Sequence, residues 1–474
     1  LFSVGASDFG LFACAIIVMI GSFSEGGSMR HVRVSDVMLG KACLWLAAWF
    51  MVSAGCEQLP EPAKPGEPVK QQAKPGAQAG PGPQSQSRVT PAPPPRPVVP
   101  PLVDTWPPRG VWVPRDIYKS PRQIAALMEE AKQAGLNTIL FQVRGHAAAY
   151  YFSAIEPFAY EFPPGGPGFD PLAVACHEAH TRGLAIHAWV NMMPAWAGDK
   201  PPDDPKHLYH THPEWFLYDQ KGKRQPLNGW YVSLNPCLPE VRNYLVGICR
   251  EIVTRYPVDG LHLDYIRFPT DRSPRGSDYP YDARTLELYR QATGLKPSSN
   301  RKTWSQWRTY QVTRLVWEIH SMVKKERPKI RLTAACPPDL PTARNNYFQD
   351  GPLWLRSGYV DGIFLMNYTS NNKTFRARHE TWQREAGGRP VAAGIGIYMH
   401  GSDVTSLEQL KMARQWGGGF AFFSSPYLFS GWPTSRQRLA TLKPTLLEMK
   451  NAAMQSLPRR ASPPTPGRAV PQVP

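Results

Sequence analysis

The chain has no glycine-rich phosphate loop and no dinucleotide glycine fingerprint after a candidate strand, which argues against a nucleotide cofactor. It also lacks HExxH. In Cys176-His177-Glu178-Ala179-His180 the histidines do not have the spacing that sets two zinc ligands one helical turn apart, and this helix face reads as solvated. Metal-dependent amidohydrolase barrels carry His-x-His on their first strand, where this chain has Val111-Trp112-Val113. No metal and no cofactor are expected. Cysteine is scarce, 7 among 474 residues, and none forms a CxxC pair. Cys176, Cys237, Cys249 and Cys336 therefore read as buried free thiols and not as a disulfide framework. From Glu57 to Thr105 there is no aromatic residue, only a run dense in Pro, Gln, Gly and Ala. Such a segment cannot bury enough apolar surface to offset its ordering entropy, so residues 56–105 are expected to form an extended, disordered tether.

What precedes the tether has its own order. From Met29 to Lys41 the chain is basic, Ala42 to Val52 is apolar, and Ser53-Ala54-Gly55-Cys56 follows. This is the sequence of parts in a bacterial lipoprotein signal, with residues 29–55 as signal and Cys56 as the lipidated residue, although Ser53 replaces the usual large aliphatic residue. The apolar stretch is shorter than the roughly 20 residues that span a bilayer. Residues 1–28 carry a second apolar run and open on Leu1, and they read as an over-extended start. The tail, residues 458–474, is Pro-rich, basic and expected to be disordered. The expected location is the bacterial envelope, with the membrane engaged through the lipid. The net charge of +17 draws on the tether and tail, so it marks no nucleic-acid partner.

Residues 106–457 repeat one pattern, a short apolar run followed by a loop and an amphipathic stretch. Strands are expected at Gly110–Pro114, Thr138–Val143, Ala185–Val190, Gly260–Tyr265, Arg331–Ala335, Gly362–Asn367, Ala392–Ile397 and Gly419–Phe423. Helices are expected at Pro121–Ala134, Pro171–Arg182, Pro239–Arg255, Trp304–Glu326, Ser406–Trp416 and Ser435–Lys450, several with proline in the first turn. Eight alternating strands and helices predict a (β/α)8 TIM barrel with long loops.

Val258-Asp259-Gly260-Leu261-His262-Leu263-Asp264-Tyr265-Ile266-Arg267-Phe268-Pro269 is the most informative stretch. With a period of two, Leu261 and Leu263 share one face, and His262 and Asp264 the other. A strand this apolar has little reason to end in an acid unless the acid is solvated, paired or used in chemistry. At the C-terminal end of a barrel strand, Asp264 is the first candidate for catalysis, with Tyr265 and Arg267 beside it. The plain alternative is that Asp264 pairs with Arg267 to fix a loop. Two insertions border the same end. Asn191 to Leu238 carries Trp196, Tyr209, Trp215, Trp230 and Tyr231 among others, and the second follows Asp264. Aromatic faces suit the C–H faces of sugars, although any single one of these rings more often serves the loop's own core.

Together, Arg109-Gly110-Val111-Trp112-Val113, Gly135-Leu136-Asn137-Thr138-Ile139, Phe169-Asp170-Pro171-Leu172, His187-Ala188-Trp189-Val190-Asn191 and the Asp264 strand resemble those of the bacterial family 10-like glycosyl-hydrolase lipoproteins, a group distinct from the family-10 xylanases. The resemblance covers about Arg109 to Phe429. It implies a (β/α)8 envelope hydrolase acting on a polysaccharide, similar to enzymes that cut peptidoglycan glycan strands freed of peptides. More distantly, Asp259-Gly260, Asp264 and Met366-Asn367-Tyr368 resemble two strands of the family-18 chitinases. There Ile266 stands where the chitinase acid would be, and Thr369 replaces an aspartate.

Glycoside hydrolysis needs an acid for the leaving oxygen and usually a second carboxylate. Asp339, past the fifth strand, is the second candidate, as either catalyst or helix cap. A pairing of neighbouring strands favours the short carboxylate separation and retention of configuration. Without it, an N-acetyl group on the substrate would be the nucleophile, oriented by Tyr368. Arg144, His146, His187, Trp189, Asn191, His262, Tyr265, Arg267, Asn367 and Tyr398 are expected to line the sugar site. Two of these have plain alternatives, a core role for His187 and an Arg144–Glu156 pair. The competing class is a non-catalytic glycan-binding lipoprotein on the same barrel.

Overall fold

The computed structural model describes residues 102–163, 166–268, 273–429 and 434–455. Residues 1–28, the signal, Cys56 and the tail lie outside the described residues, as does the tether up to residue 101. Residues 102–105, placed in the tether by sequence, pack against the barrel instead. The Val103 amide donates to Asp259 Oδ1 (3.1 Å), and the Thr105 and Thr138 hydroxyls are 2.8 Å apart.

The barrel strands are Arg109–Val113, Thr138–Arg144, Ala185–Asn191, Gly260–Asp264, Arg331–Cys336, Gly362–Leu365, Val391–Ile395 and Phe420–Phe422. They pair in parallel in sequence order, and the first closes on the eighth with Arg109 level with Phe420. The expected barrel is the observed fold. Helices start where their caps allow. Ser120 caps Pro121–Gln133 and Asp170 caps Pro171–Thr181, each with proline in the first turn. Gly417, with φ 72°, ends Asp403–Trp416 in the left-handed conformation that glycine adopts without strain. The helix Asn372–Glu385 is too polar to stand out in the sequence, and it docks through Phe375, His379 and Trp382. The third-strand insertion folds a hairpin, Pro194–Ala197 against Tyr231–Ser233. Cys176, Cys237, Cys249 and Cys336 are free and buried.

Large side chains fill the barrel interior in layers. Pairing sets His187 level with Gly260, Trp189 with His262, and Asn191 with Asp264. At the bottom, a Cβ on Gly260 would meet the His187 ring at 2.6 Å, so glycine is needed for that ring to fit. His187 is thus a core residue far from the mouth, a correction to its expected place in the sugar site. His262 is corrected likewise. It lies wholly buried in the middle layer, where its Nε2 accepts from the Trp112 indole (3.2 Å) and its Nδ1 meets the Thr333 hydroxyl (3.0 Å). Burial drives its pKa well down, so it is a neutral strut.

Arg144 needs the same correction. A register shift between Gln142 and Arg144 ends the second strand, and the fully buried guanidinium meets Glu156 through Nε (2.9 and 3.0 Å) and Nη2 (2.8 Å). Its Nη1 donates to the carbonyls of Asn191 and Met192, and Tyr244 donates to Glu156. The pair clamps the exit of the third strand, beside the Asp264 level. Because loss of one partner leaves a buried charge uncompensated, Glu156→Ala should destabilise the fold by about 3–5 kcal/mol in denaturant titration. A cost below about 1 kcal/mol, the range of exposed pairs, would show that the clamp is solvated.

Candidate functional site

Asp264 closes the fourth strand with its side chain 5% exposed at the barrel mouth. Its Oδ2 accepts from the Trp189 indole (3.1 Å), and its Oδ1 accepts from the Tyr265 amide (2.7 Å). Tyr265 has φ 48°, a left-handed conformation costing a non-glycine residue about 1–3 kcal/mol, and this turn brings its amide back to the carboxylate. Burial raises the Asp264 pKa, while the Arg267 charge and the two hydrogen bonds oppose the shift. A carboxyl whose pKa burial raises, beside a cation that favours its ionised form, suits proton transfer.

Tyr368 follows the sixth strand, and its hydroxyl is held well above the usual phenol range by burial and then by the Asp264 charge. Its ring lies 5.1 Å from Phe423 and edge-on to Tyr398 at 5.9 Å. Arg267 stacks over Tyr265 (4.8 Å) and Tyr347 (4.4 Å). The structure therefore gathers Asp264, Tyr265, Arg267, Tyr368, Tyr398 and Trp189 at one mouth. Asn191 is level with Asp264 on the neighbouring strand, and its buried Oδ1 has no hydrogen-bond partner. His146 lies in the loop after the second strand, stacked on Tyr160 at 5.3 Å.

Two expectations fail here. Asp339 is exposed and caps Leu340–Asn345, its Oδ1 accepting from the Thr342 amide (2.9 Å). The Thr342 side chain, that amide bond and Arg378 hold its pKa down, and among the described residues no carboxylate shifts Asp264. The Asp264–Asp339 pair is not formed. Asn367 turns out of the barrel, where its Nδ2 donates to the Phe375 carbonyl (2.7 Å), so it anchors a helix. Phe423 and Tyr347 were missed by sequence. Phe423 was within reach, since it directly follows the eighth strand on the end where barrel sites form. Among the described residues, no group of three or more His, Cys, Asp or Glu could hold a metal ion, and no helix is long and apolar enough to cross a membrane.

A family model described as "Glycosyl hydrolase-like 10" matches residues 107–417. The chain belongs to this family. Among curated proteins it is 28% identical to "Glycosyl hydrolase YngK" of Bacillus subtilis, over 59% of this chain and 56% of that protein. It is 27% identical to "Glycosyl hydrolase DigH" of Escherichia coli K12, over 43% of this chain and 44% of that protein. The chain thus spans about half the length of the curated relatives it matches. Among solved structures, the catalytic domain of a β-amylase from Paenibacillus polymyxa aligns with TM-score 0.51 and 13% identity, over 72% of this chain and 98% of that one, a likeness of fold.

The Asp264 environment makes a stability prediction for this glycosyl hydrolase-like 10 chain. A carboxyl with a raised folded pKa contributes stability below its unfolded pKa, near pH 4, and loses it as pH rises through the folded value. Asparagine has nothing to ionise. Relative to the parent, Asp264→Asn should therefore gain in Tm as pH rises above about 4. A Tm difference independent of pH would mean that the carboxyl is not desolvated.

Proposed function

We propose that this cleft hydrolyses glycosidic bonds in an N-acetylated polysaccharide, and that the substrate is peptidoglycan glycan freed of peptides. One observation carries the reading: a buried, pKa-raised acid stands at the C-terminal mouth of a glycosidase-type barrel, walled by aromatic rings and a phenol. The family and the names of the relatives support the reaction class.

With no second carboxylate acting on Asp264 among the described residues, the substrate's own acetamido group is the nucleophile. Neutral Asp264 donates its proton to the glycosidic oxygen as the C1–O bond breaks, and the acetamido carbonyl oxygen attacks C1. Tyr368 orients that group. The Asp264 carboxylate then takes a proton from the water that opens the cyclic intermediate, and the acid is restored. Two displacements at C1 retain its configuration.

Three outcomes are expected. Asp264→Asn should lower kcat on amidase-stripped peptidoglycan or chitin oligosaccharides by roughly 10²–10⁴-fold. Nuclear magnetic resonance of the first product should show the retained anomer, and de-N-acetylated substrate should stay intact. Inversion would remove the acetamido mechanism. Binding of glycan without turnover by the parent protein would favour the non-catalytic reading.

We also propose that Cys56 carries lipid and holds the barrel at the envelope membrane. Cys56→Ser should move the protein to the soluble fraction, and continued membrane association would assign the anchoring to the segment before it.

A further inference from the structure

The cleft does not end at Asp264. Tyr265, its chain neighbour, meets Tyr231 of the insertion hairpin at 5.2 Å. Tyr231 lies 6.3 Å from His146, His146 stacks on Tyr160, and Tyr160 lies 5.6 Å from Trp196. Rings from the loops after the second, third and fourth strands thus form one unbroken series leading away from the acid.

The outer end of the series is open to solvent. Tyr160 is 62% exposed, the most exposed large apolar side chain of the described residues, and Trp196 and Tyr231 are partly exposed. Exposing such a ring forfeits burial, so a row of them beside a cleft marks a surface that meets a ligand. His146 explains how Tyr160 is held. It is wholly buried with no hydrogen-bond partner on either ring nitrogen, and burial lowers its pKa to about 3. A neutral, flat imidazole is left, stacked on Tyr160 at an interplanar angle of 17°. His146 is thereby a positioning residue, and Tyr160 keeps most of its surface in solvent.

Resting on the reading that the cleft takes a polysaccharide, we propose that Tyr160, Trp196 and Tyr231 form an aromatic arm that binds sugar units distal to the one held at Asp264. Each ring offers one flat face to one pyranose. Longer glycans gain contacts that short ones do not reach, so chain length becomes a determinant of specificity.

The test compares short and long chitin oligosaccharides and amidase-stripped glycan strands. Tyr160→Ala should reduce the ratio of kcat/KM for long over short substrates by about three- to tenfold, whereas Tyr160→Phe, which keeps the ring, should preserve it. An unchanged ratio in Tyr160→Ala would overturn the arm. Binding is measured separately, through quenching of tryptophan fluorescence in Asp264→Asn protein. If the parent hydrolyses nothing but long oligosaccharides quench, and Tyr160→Ala weakens that quenching, the arm stands and the hydrolase reading falls. If no oligosaccharide of any length is cleaved or bound, the arm falls as well.

Discussion

The site depends on what lies beneath it. Trp112, His262 and Thr333 form a hydrogen-bonded layer across the middle of the barrel, with Trp189, Leu140 and Phe364 packed in the same interior. That layer packs beneath the mouth, where Asp264 is buried. The carboxyl is then addressed by the Trp189 indole, the Tyr265 amide and the Arg267 charge. Desolvation pushes it towards the neutral acid and Arg267 pulls it back, a balance that a solvated aspartate would not have. His262, read as a contact for sugar, contributes by being a hydrogen-bonded neutral side chain one layer down.

The alternation of apolar strands and helices made the barrel legible, and the period of two identified Asp264 as an inward-facing strand terminus. Depth was not legible. His187 and Asn191 share a face, but at about 3.3 Å per residue they stand roughly 13 Å apart along the strand. Only the one level with Asp264 is near the mouth. Periodicity assigns a face and leaves height to the register with the next strand, which the sequence does not print. Arg144 was expected at the mouth because it follows the predicted second strand, but Glu156 takes its guanidinium as a buried pair.

Asp339 and Asn367 failed for a different reason. Both follow strands on the catalytic end, so topology alone admits them to the site. Local chemistry decides otherwise. Asp339 stands three residues before Thr342 at a helix start, where an aspartate satisfies an amide that would otherwise lack a partner. Asn367 satisfies the Phe375 carbonyl in the same manner. A short polar side chain next to an unsatisfied backbone group is claimed by it, and the helix boundary decides between the two readings that the sequence allowed for Asp339.

Ile266 gives the departure from the chitinase strand a geometric meaning. It is fully buried, and Tyr265 before it turns the chain through a left-handed residue. The position is therefore not an open place in the cleft from which an acid has been lost, because the backbone directs it into the core. A glutamate there would be buried without the solvent or partners that an ionisable group needs. Proton donation must come from a residue that already faces the mouth, and Asp264 is the acid held there by the Tyr265 turn. The same turn also sets Tyr265 against Tyr231, so the backbone feature that holds Asp264 at the mouth is the one that joins it to the aromatic rim.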